Sequence, residues 1–150
     1  MTWLRILFLP LLLAQSLLAA EAEGRIIKVL PHFLDQEGRH TLHPSLYERD
    51  AYQAFLRSRP EDVSALRYDI QWKAGGSENL ILKLEYRGSK MEPGETKSIS
   101  RPVKKRWFGS SWSAIQLNKA EYDQAGAIIA WRVSIWKGTQ LLADQKSFLW

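Results

Sequence analysis

Three histidines near the N-terminal end of the chain are the first residues whose types and spacing could support chemistry. His32, His40 and His43 are accompanied by Asp35 and Glu37, so this segment supplies the nitrogen and oxygen donors that zinc takes. A small metal-dependent enzyme is therefore one hypothesis. The spacing matches no helical HExxH pattern and the chain has no cysteine. Histidines in a solvated loop, with no metal, are the favoured interpretation.

A serine-containing segment is the second candidate for catalysis. Residues 109–113 come one residue short of the G-x-S-x-G turn that carries the nucleophile of many hydrolases, because Ser113 stands in place of the second glycine. That turn must lead into a helix, whereas the residues that follow have the pattern of a strand. The sequence predicts no catalytic residue and no cofactor. A small envelope hydrolase is kept as an alternative hypothesis.

The strongest candidate for a binding surface is a run of cations beside aromatic residues. Lys104, Lys105 and Arg106 are followed directly by Trp107, and the surrounding residues 97–119 include six basic residues and no Asp or Glu. Such a cluster attracts phosphates, anionic glycans and lipid headgroups. The other interpretation is a solvated edge strand whose lysines prevent pairing with further chains. We predict these four residues as an interaction surface for an envelope protein, an anionic glycan or lipid headgroups.

The chain is rich in tryptophan, with seven in 150 residues. Trp72 and Trp131 occupy apolar positions of predicted strands, and we expect them in the core. Trp107, Trp112 and Trp136 fall outside that pattern. Together they would form an exposed platform for a sugar or a protein partner, unless a helix packs over them. A carbohydrate-binding module is therefore a third hypothesis.

The first 22 residues have the layout of a secretory signal. A positive start at Arg5 precedes an apolar run, and Ala20 and Ala22 form an A-x-A cleavage pattern. The run is shorter than the roughly 20 apolar residues that a membrane-spanning helix needs. We predict a cleaved signal over 1–22, an exported domain over 23–150 that is periplasmic or secreted, and no later transmembrane segment. An uncleaved inner-membrane anchor is the alternative, and an extracytoplasmic address predicts no nucleic acid partner.

Composition places the chain among ordinary globular proteins. Its 150 residues are 45% hydrophobic and 25% charged, with a net charge of +5. This balance excludes collagen-like proteins and coiled coils, and the lack of cysteine excludes a disulfide framework. One hydrophobic core must therefore hold the domain together.

One helix is predicted among short strands. Ser45 and Glu48 have the spacing of a capping box, and Pro60 limits the helix, which we place at about 45–58. The apolar positions Tyr47, Ala51, Ala54 and Phe55 follow a helical period, and Tyr52 and Leu56 beside them complete one apolar stripe. We expect this stripe to pack against a sheet edge or the end of a sandwich.

The remaining elements have the pattern of antiparallel strands. Apolar residues alternate with polar ones over 66–73 and again over 80–87, and we expect these two strands to be neighbours in one sheet. A first strand over 25–30 is expected to stop at Pro31. In all, about seven short strands separated by Gly and Pro turns predict an all-β, antiparallel, immunoglobulin-like sandwich with the helix inserted.

Four segments carry a resemblance. SLYERDAYQAFLR (Ser45–Arg57), RYDIQWK (Arg67–Lys73), AWRVSIW (Ala130–Trp136) and QKSFLW (Gln145–Trp150) resemble segments of a group of small exported bacterial proteins with no assigned activity. The architecture also looks like that of immunoglobulin and fibronectin type III domains, which does not determine a function. The resemblance implies export and a single domain. With no convergent catalytic residues, the leading hypothesis is a non-catalytic binding or assembly module of the bacterial envelope.

Overall fold

The computed structural model describes residues 24–76 and 78–150, and within them the chain forms seven strands and two helices. A short 3₁₀ turn, Pro60–Asp62, separates the first helix from the second strand. The predicted export signal lies outside the described residues. In chain order the elements are β1 (Gly24–Leu34), α1 (Leu46–Ser58), β2 (Ala65–Ala74), β3 (Leu80–Gly88), β4 (Lys97–Val103), β5 (Ser111–Asn118), α2 (Lys119–Ala125), β6 (Ile128–Lys137) and β7 (Gln140–Lys146).

The strands form two antiparallel sheets, which confirms the predicted all-β sandwich. One sheet has the order β1-β2-β5 and the other the order β4-β3-β6-β7. This is the immunoglobulin-like order, except that the fourth strand pairs with the third, whereas in constant-type domains it joins the first sheet. The helix inserted between β1 and β2 also matches its predicted bounds closely.

The core lies between the sheets and follows the predicted alternation. Tyr68, Ile70 and Trp72 on β2 are buried, and Leu82 and Leu84 on β3 face them from the other sheet. Side chains at every second position of a strand lie on one face, so the apolar positions of both sheets are removed from water together. Trp72 is fully buried as expected, while Trp131 on β6 is half-buried.

The expectation that β2 and β3 are neighbours in one sheet is wrong. β2 pairs with β1 and β5, and β3 pairs with β4 and β6. The connection after Ala74 instead carries the chain from one sheet to the other. Both strands have one apolar face, and stacking those faces buries them as effectively as placing the strands side by side.

The prediction that β1 stops at Pro31 is also wrong, since the strand continues to Leu34. Pro31 lies opposite Tyr68 of β2, and β2 is the only strand with which β1 pairs among the described residues. A proline lacks a backbone N–H. On an edge strand an N–H can point to solvent, and its loss there breaks no hydrogen bond of the sheet.

Helix α1 begins after Ser45 as predicted, but two details of the prediction are wrong. The Ser45 side chain forms no capping hydrogen bond. Four residues of the predicted apolar stripe, Tyr47, Ala51, Ala54 and Phe55, face solvent, with Tyr47 81% exposed. The buried face carries Leu56, with Tyr52 and Gln53 half-buried beside it. The packing therefore uses only the Tyr52 and Leu56 side of the predicted stripe.

Helix α2 was not expected. The Asn118 side chain accepts a hydrogen bond from the Glu121 backbone N–H at 2.9 Å, and the Glu121 carboxylate accepts one from the Asn118 N–H at 2.8 Å. This reciprocal capping box starts the helix, and Gly126 ends it at a positive φ of 73°. The helix is only seven residues long, so its apolar period is too short to be recognised.

Candidate binding sites

The four residues predicted as an interaction surface all lie in one exposed loop. Residues 104–110 connect β4 to β5, and we call them the basic loop. Lys104, Lys105 and Arg106 are exposed, and Trp107 and Phe108 at the tip are 87% and 82% exposed. The two rings contact each other edge to face, with centroids 6.2 Å apart. The loop is held at its base, where the Arg106 backbone N–H donates to Ser111 Oγ at 2.8 Å.

Further cations surround the basic loop. Arg25 at the start of β1 lies opposite Lys73 at the end of β2, and Lys105 Nζ lies 3.5 Å from the Ala74 carbonyl oxygen. Within the described part of the chain, none of these cations forms an ion pair. Glu78 is an exposed acidic residue in the nearby connection to β3. This end of the sandwich is therefore strongly positive. It is also the end at which β1 begins, at Gly24.

The three tryptophans proposed as a platform do not come together. Trp112 lies on the outer face of the β1-β2-β5 sheet, opposite Gln71, and is 49% exposed. Trp136 lies half-buried on the outer face of the other sheet, where its Nε1 donates to Ser134 Oγ at 2.9 Å. The expected row of Trp107, Trp112 and Trp136 is therefore wrong, because alternation within two different sheets directs two of these rings away from each other.

The three histidines are only partly brought together. The rings of His32 and His40 lie 4.8 Å apart, and His32 Nε2 lies 3.8 Å from Asp69 Oδ2. Arg67 donates to the same carboxylate at 3.0 Å. His43 is separate, because its Nδ1 accepts from the Ser45 N–H at 3.2 Å. No group of three or more His, Cys, Asp or Glu within residues 24–76 and 78–150 is arranged to hold a metal.

Burial gives His32 a distinct electrostatic environment. Its pKa is lowered, first because burial disfavours the charged imidazolium and second because His40 lies beside it. Asp69 opposes this effect, while Arg67 and Arg49 add to it. The His32 side chain is therefore held in its neutral form.

The serine-containing segment leads into a strand, as the sequence predicted. Ser111 and Ser113 belong to β5, and their hydroxyls accept hydrogen bonds from the Arg106 N–H and from Trp72 Nε1. Ser110 Oγ accepts from Gln71 Nε2 at 2.7 Å. These hydroxyls stabilise the base of the basic loop and the core, and no strand-to-helix nucleophile turn is formed here.

A cavity between helices and sheet is a feature that the sequence did not predict. It has a volume of about 650 Å³ and lies between the end of β1, helices α1 and α2, and the start of β6. Its walls are mainly aromatic and aliphatic, and are formed by Phe33, Leu66, Tyr68, Tyr122, Ile128 and Trp131. Volumes of this size are typical of small-molecule sites.

The aromatic walls consist of two ring pairs. Phe33 meets Tyr122 edge to face with centroids 5.8 Å apart, and Tyr68 meets Trp131 in the same way at 6.2 Å. Burial raises the pKa values of Tyr68 and Tyr122, so both phenols are neutral. Edge-to-face pairs fix the orientation of the rings. The walls are therefore largely preformed.

Helix α1 forms the polar side of this cavity. Arg49, Gln53 and Arg57 lie four residues apart along the helix and all three line the cavity. Gln53 also joins the helix to β1, because its Oε1 accepts from the Phe33 N–H at 2.7 Å and its Nε2 donates to the Phe33 carbonyl at 2.9 Å. The helix thus presents a polar stripe to an aromatic cavity.

A buried carboxylate holds the same helix from its other side. Asp35 accepts hydrogen bonds from Tyr52 Oη at 2.6 Å, from Arg39 Nε at 2.8 Å and from the Arg39 and Glu37 N–H groups. Burial alone would raise the pKa of Asp35, but these donors, with Tyr52 first, lower it to about 2. The Ser64 hydroxyl donates to the Asp35 carbonyl. Asp35 and Tyr52 therefore fix the position of α1 relative to β1.

Some of the charged side chains at the mouth of the cavity form ion pairs and others do not. Arg49 pairs with Asp50 at 2.8 Å, and Asp123 pairs with Lys119 at 2.6 Å. Arg57 has its guanidinium 5.9 Å from the centre of the Phe33 ring and has no ion-pair partner among the described residues. Lys90 donates only to a backbone carbonyl, that of Asp123, at 3.1 Å. The mouth therefore carries two cations that have no carboxylate partner in the part of the chain that the structure describes.

Comparisons with protein-family models, curated proteins and solved structures found no significant match to this chain. The chemistry of the two sites must therefore carry the functional argument. Among the described residues, no helix has both the length and the apolar character to cross a bilayer.

The basic loop could be found from the sequence because its residues are consecutive. The cavity could not, because Phe33, Arg57, Lys90 and Trp131 come from four distant parts of the chain. One signal was present, however. Arg49, Gln53 and Arg57 have a helical period of four on α1, and this polar stripe indicates a face that binds polar groups.

Proposed function

We propose that this protein is an exported, non-catalytic binding module of the bacterial envelope, and that its basic loop docks on anionic lipid headgroups. The observation that carries the proposal is the pair of exposed rings, Trp107 and Phe108, directly beside Lys104, Lys105 and Arg106. Large apolar side chains at the tip of a loop are unfavourable in water. They become favourable at a membrane interface, where tryptophan is enriched.

The charge of the loop supports an anionic surface as the partner. Each Lys or Arg close to an anionic membrane contributes about 1 kcal/mol of attraction. The loop offers three such cations, and Arg25 and Lys73 lie at the same end of the sandwich. Long basic side chains can reach headgroups while the aromatic rings enter the boundary below them.

The entry point of the chain supports the same orientation. Gly24 lies opposite Ala74, and Lys105 reaches the carbonyl of Ala74, so the chain enters β1 beside the basic loop. In the sequence, the apolar run of the first 22 residues comes shortly before this strand. If that run is cleaved as a signal, the loop docks by itself. If it is kept as an anchor, it holds the loop at the membrane.

Vesicle flotation tests the proposal. The protein is expressed from the full chain and purified, and its N-terminus is read by mass spectrometry, where we expect cleavage after Ala20 or Ala22. Vesicles of phosphatidylcholine alone are compared with vesicles that also contain phosphatidylglycerol. We expect binding to the anionic vesicles only, and weaker binding as the salt concentration rises.

Two variants locate the contact. Lys104→Glu/Lys105→Glu removes two attractions of about 1 kcal/mol each, which corresponds to at least roughly 30-fold weaker binding. The matched control is Lys97→Glu/Lys146→Glu, which makes the same change of net charge at the opposite end of the sandwich. Trp107→Ala should weaken binding without changing its salt dependence.

An equal loss of vesicle binding in the control and in the loop variant would contradict docking by the basic loop. Binding to an envelope protein or glycan in place of vesicles would also overturn it.

A further inference from the structure

The cavity at the other end of the sandwich is a second, independent site. β1 begins beside the basic loop and reaches the cavity at Leu30, six residues later. At about 3.3 Å per residue, the two sites are roughly 20 Å apart. The inference below therefore does not rest on the proposed docking of the basic loop.

The orientation of α1 is the first observation. Its large apolar residues Tyr47 and Phe55 are exposed, while Arg49, Gln53 and Arg57 line the cavity. A helix that only served to close the sandwich would turn its apolar stripe inward and its charged residues outward. Here Leu56 packs in the core, and hydrogen bonds of Gln53 and Tyr52 hold the polar residues against the cavity in place of Tyr47 and Phe55. Cations are thereby kept at the edge of an aromatic cavity.

The distribution of chemistry around the cavity is the second observation. The deep walls are rings and aliphatic side chains from Phe33, Leu66, Tyr68 and Trp131. The acidic residues at the mouth are already paired, Asp50 with Arg49 and Asp123 with Lys119. Among the described residues, the lining cations left for a ligand are Arg57 on α1 and Lys90 in the turn after β3.

From this arrangement, the geometry points to a binding site for a single-chain amphiphile with an anionic headgroup. Its apolar chain fills the aromatic cavity, and its carboxylate or phosphate contacts Arg57 and Lys90 at the mouth. The cavity volume of about 650 Å³ is within the range of small-molecule sites. Arginine suits either headgroup, because its guanidinium can donate two parallel hydrogen bonds to an oxyanion.

Lys90 is placed for this role by the turn that follows α2. A side chain at Gly126 would come within 2.8 Å of Lys90 Cγ, so the absence of one lets the lysine lie across the backbone there. Its ammonium then reaches the Asp123 carbonyl at the mouth. Gly126 also has a positive φ of 73°, which favours glycine at this position.

Calorimetric titration with four probes tests the proposal. Decanoate and decyl phosphate carry the two anionic headgroups on one chain, 1-decanol carries a neutral one, and decyltrimethylammonium a positive one. All are used below the concentration at which they form micelles, with the purified protein. We expect saturable binding of one anionic molecule per protein, and the tighter of the two anions identifies the preferred headgroup. Binding of the cation as tight as that of the anions would overturn the proposal.

Variants assign the binding to this cavity. Arg57→Gln/Lys90→Gln should weaken binding of the anionic probes tenfold or more and leave 1-decanol unchanged. The matched control Lys28→Gln/Arg101→Gln removes two exposed cations, one from β1 and one from β4, that do not line the cavity, and should have no effect. Ala127→Phe places a ring at an exposed position of the lining and should abolish binding of every probe.

Each remaining outcome is decisive. Circular dichroism and thermal melting establish that the variants are folded, and the double substitution involves exposed side chains only. If the anionic probes do not bind saturably, or if Ala127→Phe binds them as the unchanged protein does, the cavity is not their site and the inference is wrong. Because the basic loop is intact in all these variants, vesicle binding should remain unchanged. Its loss would contradict a second, independent site and would overturn the inference.

Discussion

The Gln53 side chain pairs with both backbone groups of Phe33, as a neighbouring strand would. Its Oε1 accepts from the Phe33 N–H at 2.7 Å and its Nε2 donates to the Phe33 carbonyl at 2.9 Å. A primary amide has the same donor and acceptor as a peptide group, so it can complete the free edge of β1. The same Nε2 also donates to the His40 carbonyl at 2.8 Å. One side chain therefore joins the edge strand, the following loop and α1.

Removing this amide should destabilise the protein. Gln53→Ala leaves two half-buried backbone groups of Phe33 without partners, and we expect a loss of about 1–3 kcal/mol in the free energy of unfolding. Urea unfolding followed by circular dichroism measures it. Gln140→Ala at an exposed position of β7 is the control and should change stability by less than about 0.5 kcal/mol. Equal stability of the two variants would show that Gln53 does not hold the edge.

The contact between Tyr52 and Asp35 should determine the behaviour of the protein in acid. The pKa of Asp35 is lowered to about 2 in the folded protein, against an ordinary value of 3.8. The unfolded chain therefore binds a proton more readily, and the stabilisation present above about pH 4 is lost as the pH falls toward 2.

Tyr52→Phe tests this relation. It removes one hydrogen bond to a carboxylate, which costs about 1.5–3 kcal/mol near neutral pH. It also brings the pKa of Asp35 closer to its ordinary value, so stability should fall less between pH 4 and pH 2 than in the unchanged protein. Unfolding in urea at several pH values gives the slope. Tyr47→Phe on the exposed face of α1 is the matched control and should keep the original slope.

His32 should also make the stability of the protein depend on pH, in a range above that of Asp35. Its pKa is lowered below 6.5 by burial and by the neighbouring His40. Above pH 6.5 the imidazole is neutral in both states. As the pH falls below 6.5, the unfolded chain takes up the proton first, so the folded state loses stability down to the lowered pKa.

Thermal melting between pH 7.5 and pH 5 measures this effect. His32→Gln should reduce the fall in melting temperature across this range, whatever its effect on absolute stability. His43→Gln is the control, because His43 lies in an exposed loop and contacts the start of α1. If His32→Gln retains the full pH dependence, another group is responsible for it.

The sequence by itself was sufficient for the fold class and for the position of the exposed basic loop. Alternation over 66–73 and 80–87 determines which side chains enter the core, because successive residues of a strand point to opposite faces. The helix from Ser45 onward is marked by its N-cap residue and by Pro60. The basic loop can be recognised because its cations and rings are consecutive in the sequence. Its exposure could be predicted without knowing any contact between distant residues.

Tertiary structure decided which elements became neighbours. β2 and β3 have the same alternating pattern whether they pair edge to edge or stack face to face, so their separation into two sheets could not be deduced. The outward orientation of Tyr47 and Phe55 was also decided by tertiary contacts. It depends on hydrogen bonds from Gln53 and Tyr52 to residues about twenty positions away.

The cavity shows the same limit most clearly. Phe33 and Trp131 are separated by almost a hundred residues, and Arg57 and Lys90 lie between them. Periodicity reports the local direction of a side chain, and it carries no information about the distance between elements that meet only after folding. The sequence alone therefore specified the sandwich and its charged loop, whereas the packing of α1 and α2 across the sheet edge created the cavity.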